Sequence, residues 1–142
     1  MKISKWLAYL RPVLEIYTDG SEKSGQGAWA YVIVWKSRII AEASRGVKKT
    51  DSLSMEIQAA IEALKSLSHC RRVRLCSDNR ILIDKMTKGS LDQTPESHRE
   101  LFRTLLSLAE THFIEWKWVK SHSGHKYNEL CDTLCAQARL SH

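Results

Sequence analysis

Little in this sequence of 142 residues speaks for membrane insertion, secretion or disorder. No apolar run approaches the roughly 20 residues that a membrane-spanning helix needs. The opening from Met1 to Arg11 is basic and partly apolar, but it lacks the longer apolar core and small-residue cleavage site of a secretory signal. Residues 1–13 are therefore expected to form a short extension that packs on the domain or approaches nucleic acid. With only two prolines and six glycines, the chain has no low-complexity tract, internal repeat or interdomain linker. Residues 14–142 are expected to fold as one domain.

Cysteine is also sparse. Cys70, Cys76, Cys131 and Cys135 do not establish an oxidising compartment, and buried thiols are the expectation. His122, His125, Cys131 and Cys135 have the chemistry of zinc ligands, but their loop-to-helix spacing matches no familiar compact site. Absence of membrane and secretion signals makes the cytoplasm, or another compartment holding nucleic acid, the expected location. A monomer without an obligate protein partner is the default.

Hydrophobic residues make up 43% and charged residues 27%, ordinary for a soluble globular domain. The formal charge of +6 favours a polyanionic partner without identifying it.

Periodicity predicts the elements. Leu14–Thr18 alternates and stops at Asp19-Gly20-Ser21, a strand running into a turn. Ala28–Lys36 is a second strand, Ser37-Arg38 a tight connection, and Ile39–Gly46 a third strand. After Asp51, Leu53, Ile57, Ala60, Ile61, Leu64 and Leu67 recur at helical spacing, with Asp51 or Ser52 as the cap. Val73–Ser77 is a short strand ending at Asp78, and Ile81, Leu82, Ile83 and Met86 mark a short helix. Thr94-Pro95-Glu96 predicts a helix with a threonine cap and proline at its first position. Phe113–Val119 alternates as a last strand, and Leu130, Leu134 and Ala138 share one face of a last helix. Helices between the later strands favour parallel crossovers, hence an α/β fold with a mixed sheet covered by helices. The order of elements does not by itself settle strand positions.

Four acids stand out. Asp19 and Asp78 end two strands that would emerge at one sheet edge if they are parallel neighbours, where open sheets commonly place chemistry. Glu56 and Asp132 lie early in two helices, off the main apolar stripes. Clustered carboxylates without counter-charge are unfavourable, and divalent cations remove that objection. Oxygen-only ligands suit Mg2+, with Mn2+ able to substitute. Two ions about 4 Å apart would activate water and stabilise the leaving oxygen of a phosphodiester. Asp19 is expected to bridge, with Glu56 and Asp78 favouring one ion and Asp132 the other. His122, in a loop made adaptable by Gly124, could move a proton or help release the cleaved phosphate. His125 is expected to order that loop.

The ordered motifs Tyr17-Thr18-Asp19-Gly20-Ser21, Met55–Leu64 around Glu56, Ser77-Asp78-Asn79 and Trp118–His125, continuing through Asn128 to Asp132, resemble those of the type 1 ribonuclease H family. They cover the chain from Glu15 to Ala138. The resemblance implies a five-stranded sheet in the order 3-2-1-4-5, with strand 2 antiparallel to the rest. It also implies that Asp19, Glu56, Asp78 and Asp132 are the metal-binding acids and His122 the mobile catalytic histidine. The implied reaction is endonucleolytic hydrolysis of the RNA strand of an RNA–DNA hybrid, leaving 5'-phosphate and 3'-hydroxyl ends.

Substrate contacts are expected from Gly20, Ser21, Lys23, Thr50, Ser52, Asn79, Lys85, Lys88 and Lys120, with Gly20-Ser21 nearer RNA and Thr50 and the Lys85–Lys88 helix nearer DNA. Several segments depart from the bacterial pattern. Glu22–Gly27 is short, Asp51-Ser52-Leu53 stands where Thr-Asn-Asn is typical, Asn79 replaces a common serine, and no basic, tryptophan-containing protrusion follows the second helix. Two other readings stay open: a related metal-dependent nuclease for other nucleic-acid structures, and a noncatalytic nucleic-acid-binding module.

Overall fold

The first long strand, β1 (Leu14–Lys23), organises everything around it in the computed structural model, which describes residues 10–141. β2 (Gln26–Trp35) and β3 (Arg38–Lys48) complete an antiparallel meander. Then come helix α1 (Ser52–Lys65), strand β4 (Arg72–Ser77), helices α2 (Arg80–Lys88) and α3 (Glu96–Ala109), strand β5 (Phe113–Trp118) and helix α4 (Lys126–Leu140). The sheet order is β3-β2-β1-β4-β5, with β1, β4 and β5 parallel, as the family resemblance implied. Residues 1–9 of the proposed extension, including Trp6 and Leu7, lie outside the described residues. Leu10 is exposed. Among the described residues, no helix is long and apolar enough to cross a membrane.

Alternation along β1 divides the interior into two layers. Leu14 and Ile16 join Ile57, Leu64, Leu75, Leu82, Phe102 and Leu105 beneath α1, α2 and α3. Tyr17 faces the other way, with Ala28, Val32, Val34 and Cys76, against Cys131 and Cys135 of α4. Phe102 is wholly buried; truncating such a ring to alanine costs about 3–5 kcal/mol. Asp51 caps α1, accepting bonds from the Ser54 N–H and hydroxyl, both at 2.8 Å. His98 Nε2 lies 2.9 Å from the same carboxylate and ties α3 to the cap.

The structure moves several expected boundaries. β1 does not stop at Asp19 but continues to Lys23, because Ser21, Glu22 and Lys23 find ladder partners in Ala28, Gly27 and Gln26. The tight connection after β2 is Lys36-Ser37, both with positive φ (48° and 67°), rather than Ser37-Arg38. α3 begins at Glu96 with Pro95 at the cap position, and the buried Thr94 hydroxyl makes no capping bond. One backbone carbonyl serves there instead: Pro95 O accepts from the N–H groups of His98 and Arg99.

Candidate active site

Parallel pairing between β1 and β4 ends at Tyr17 and Cys76. Asp19 and Asp78 each lie two residues beyond that last pair, Asp19 still within β1 and Asp78 in the bend that follows β4, so both stand at the carboxyl edge of the parallel pair. Glu56 arrives from α1. That approach requires Gly20: a Cβ there would sit 2.3 Å from the Glu56 nitrogen and the Met55 carbonyl carbon. The missing side chain thus lets the helix backbone touch the strand.

One carboxylate oxygen from each of Asp19, Glu56 and Asp78 lies within 4.8 Å of the others. Asp19 and Glu56 are buried, each 5% exposed, and Asp78 is partly so. Burial raises the Asp19 pKa to about 7, with the charges of Asp78 and Asp132 adding to the rise and the Gly20 N–H and the Glu56 side chain opposing it. Burial also pushes Glu56 well above the usual range, reinforced by Asp19 and Asp78 and opposed by the Gly20 N–H and the Asn79 amide. Glu56 Oε1 is buried and accepts no hydrogen bond. Hard oxygen donors, an unpartnered buried oxygen and mutually repelling charges together fit a divalent cation.

Of the four expected acids, Asp132 is the one outside the tight trio. It is exposed on α4, near enough for its charge to act on Asp19. Asn79 caps α2, its Oδ1 accepting from the Leu82 N–H at 2.9 Å. Ser21 pairs with Arg139, and Thr50 folds its methyl over Gly27 while its N–H bonds Gly25 O at 3.2 Å. Lys85 is partly buried, its ammonium 3.4 Å from Asp92 O, whereas Lys23, Ser52, Lys88 and Lys120 are exposed. His122 is exposed at φ 51°, and among the described residues no hydrogen bond or ion pair holds its ring. His125 packs on Tyr17, ring centroids 5.0 Å apart, as expected of a loop-ordering residue.

The zinc-compatible cysteines are committed to the core. Cys131 Sγ bonds Tyr17 O and Cys135 Sγ bonds Asp19 O, at 3.3 and 3.4 Å, and burial pushes both thiols up. Two contacts to Asp78 escaped the sequence reading: the Trp118 indole N–H bonds its carbonyl at 3.1 Å and the Ser121 hydroxyl bonds its Oδ2 at 3.0 Å. Arg80 stacks on Trp118, 4.1 Å from the ring centroid. Only the β4–β5 register, which sets Ser77 beside Trp118, makes these contacts foreseeable.

A sequence model of the RNase H family matches residues 11–139. The chain belongs to the RNase H family. Ribonuclease H of Caldanaerobacter subterraneus subsp. tengcongensis is 37% identical to it over 143 aligned positions, covering 92% of this chain and 93% of that one. Solved RNase H structures share the fold at lower identity. The N-terminal RNase H domain of a Mycobacterium tuberculosis protein superposes with a TM-score of 0.79 at 18% identity, covering 91% of this chain and 94% of that one. LC11-RNase H1, solved in complex with an RNA/DNA hybrid, gives 0.76 at 17% identity, covering 90% and 97%. RNase H enzymes are metal-dependent, and the Asp19–Glu56–Asp78 trio is where this member could hold a cation.

Proposed function

We propose that this RNase H cuts the RNA strand of an RNA–DNA hybrid as an endonuclease, using Mg2+ and leaving 5'-phosphate and 3'-hydroxyl ends. The observation that carries this reading is the convergence of Asp19, Glu56 and Asp78 at a sheet edge where their charges repel. A relative solved with an RNA/DNA hybrid supports the substrate class.

Asp19, Glu56, Asp78 and Asp132 would hold the cations, Asp19 central to the set and Asp132 completing it from α4. Bound Mg2+ supplies a water nucleophile at neutral pH and charge stabilisation at the leaving oxygen; Mn2+ can replace it. His122, free at the tip of its loop, carries a proton to or from the phosphate region. Ser21 and the backbone around Gly20 approach the RNA strand, while Thr50, Lys85 and Lys88 approach the DNA strand, and Lys23, Ser52, Asn79 and Lys120 add further substrate contacts. The catalytic domain is residues 14–142, preceded by a short extension of residues 1–13. It acts as a monomer in the cytoplasm or another compartment containing nucleic acid.

A gel assay on a labelled hybrid with Mg2+, beside duplex DNA and single-stranded RNA, tests the proposal. Wild type should cut the hybrid selectively and Asp19→Asn should abolish the cleavage. Equal cleavage of duplex DNA would reassign the substrate, and folded protein inert with both Mg2+ and Mn2+ would leave a binding module.

A further inference from the structure

Asp78 differs from its two partners in how it is held. Asp19 and Glu56 are locked by burial, each 5% exposed, whereas Asp78 is only partly buried. Its restraint comes instead from the chain leaving β5. Val119 N–H bonds Ser77 O at 2.9 Å, the Trp118 indole N–H bonds Asp78 O at 3.1 Å, and the Ser121 hydroxyl donates to Asp78 Oδ2 at 3.0 Å. The first two fix the backbone. The third reaches the carboxylate itself.

The same serine opens the loop that carries His122. His122 holds φ 51°, a left-handed conformation that favours glycine, and Gly124 follows at φ 82°. The Ser123 hydroxyl closes the turn onto Lys120 O at 2.7 Å. An unfavourable backbone conformation therefore lies one residue beyond a bond to a cluster carboxylate. Such a conformation persists only where its surroundings hold it.

We propose that Ser121 is a positioning residue: its hydroxyl orients the Asp78 carboxylate for a divalent cation and, through that bond, couples the His122 loop to cation binding. The proposal rests on the reading of Asp19, Glu56 and Asp78 as a cation cluster. An ionised carboxylate offers about four lone-pair positions. Ser121 occupies one, leaving the others for a cation while restricting rotation of a side chain that burial does not lock. Outer hydrogen bonds of this kind orient metal ligands. The coupling is reciprocal, so a cation that alters Asp78 alters the loop, and a change in the loop alters cation affinity.

The test uses the full chain without nucleic acid. Mg2+ affinity is measured by calorimetry, and backbone amide exchange at residues 119–125 is followed with and without Mg2+, for wild type, Ser121→Ala and Ser121→Thr. Thermal melts confirm that the variants fold. Ser121→Ala should bind Mg2+ about tenfold more weakly. Its loop amides should exchange faster and stop responding to Mg2+, while Ser121→Thr, which keeps the hydroxyl, restores both. Ser121→Ala binding Mg2+ indistinguishably from wild type would overturn the proposal, as would a wild-type loop that exchanges identically with and without Mg2+. If wild type binds no Mg2+, the cation cluster fails and this inference falls with it. Failure of hybrid cleavage beside intact Mg2+ binding would instead count against the substrate alone.

Discussion

Replacing Asp19 by asparagine should stabilise the cation-free protein, and only above a definite pH. Asp19 is 5% exposed and has a pKa raised from 3.8 to about 7, chiefly by burial and then by Asp78 and Asp132. Between about pH 4 and pH 7 the folded protein keeps a proton that the unfolded chain has released. Stability therefore falls as pH rises through that window, and the loss is complete above it. Three pKa units at about 1.4 kcal/mol each set an upper bound of about 4 kcal/mol. Asparagine never ionises, so Asp19→Asn should exceed wild type by about 2–4 kcal/mol at pH 8 in EDTA. With an unfolding entropy near 0.3 kcal/mol/K for a chain of this size, Tm should rise by about 7–13 °C. Near pH 4 the difference should shrink toward zero. Circular-dichroism melts of both proteins from pH 4 to 9 provide the assay. A difference that does not change with pH, or a variant less stable than wild type at pH 8, would refute the electrostatic reasoning. Saturating Mg2+ should raise the wild-type Tm and leave the variant nearly unmoved.

Gly20→Ala should cost about 1–3 kcal/mol or more, because the new Cβ meets α1 backbone at 2.3 Å rather than a side chain able to rotate. Urea unfolding measures the loss, and calorimetry should find weaker Mg2+ binding because Glu56 moves with its helix. The Lys36-Ser37 turn has both residues at positive φ, the arrangement of a type I′ hairpin, which favours Asn-Gly. Lys36→Asn combined with Ser37→Gly should therefore stabilise the protein by about 1–2 kcal/mol in the same assay, without altering Mg2+ binding.

The strands and helices were legible because their buried faces repeat at simple periods. Leu14 and Ile16 alternate, and Ile57, Ala60, Ile61 and Leu64 form a stripe. What escaped was set by partners distant in sequence. Ser21, Glu22 and Lys23 look like turn residues, yet β2 supplies them with a ladder. Lys36 and Ser37 carry no turn signature, yet the flanking strands impose the hairpin geometry on them. Thr94 has the chemistry of a helix cap, but its hydroxyl is buried and α3 starts later.

The site divides along the same line. Acid identities belong to local motifs, so Asp19, Glu56 and Asp78 could be grouped from the chain alone. Their inequality could not, because it depends on burial: two acids are locked in the interior, one is held by Ser121, and Asp132 stands exposed beside them. Gly20 shows why motif and geometry must be read together. Beside Asp19 it resembles a substrate contact, yet the space it leaves is filled by the backbone that delivers Glu56. Close approach of α1 removes water from two carboxylates and raises their pKa values, which destabilises the cation-free protein near neutral pH. The same cluster of buried carboxylate oxygens could hold a divalent cation, so the packing that weakens the empty fold is the packing that would strengthen its grip on metal.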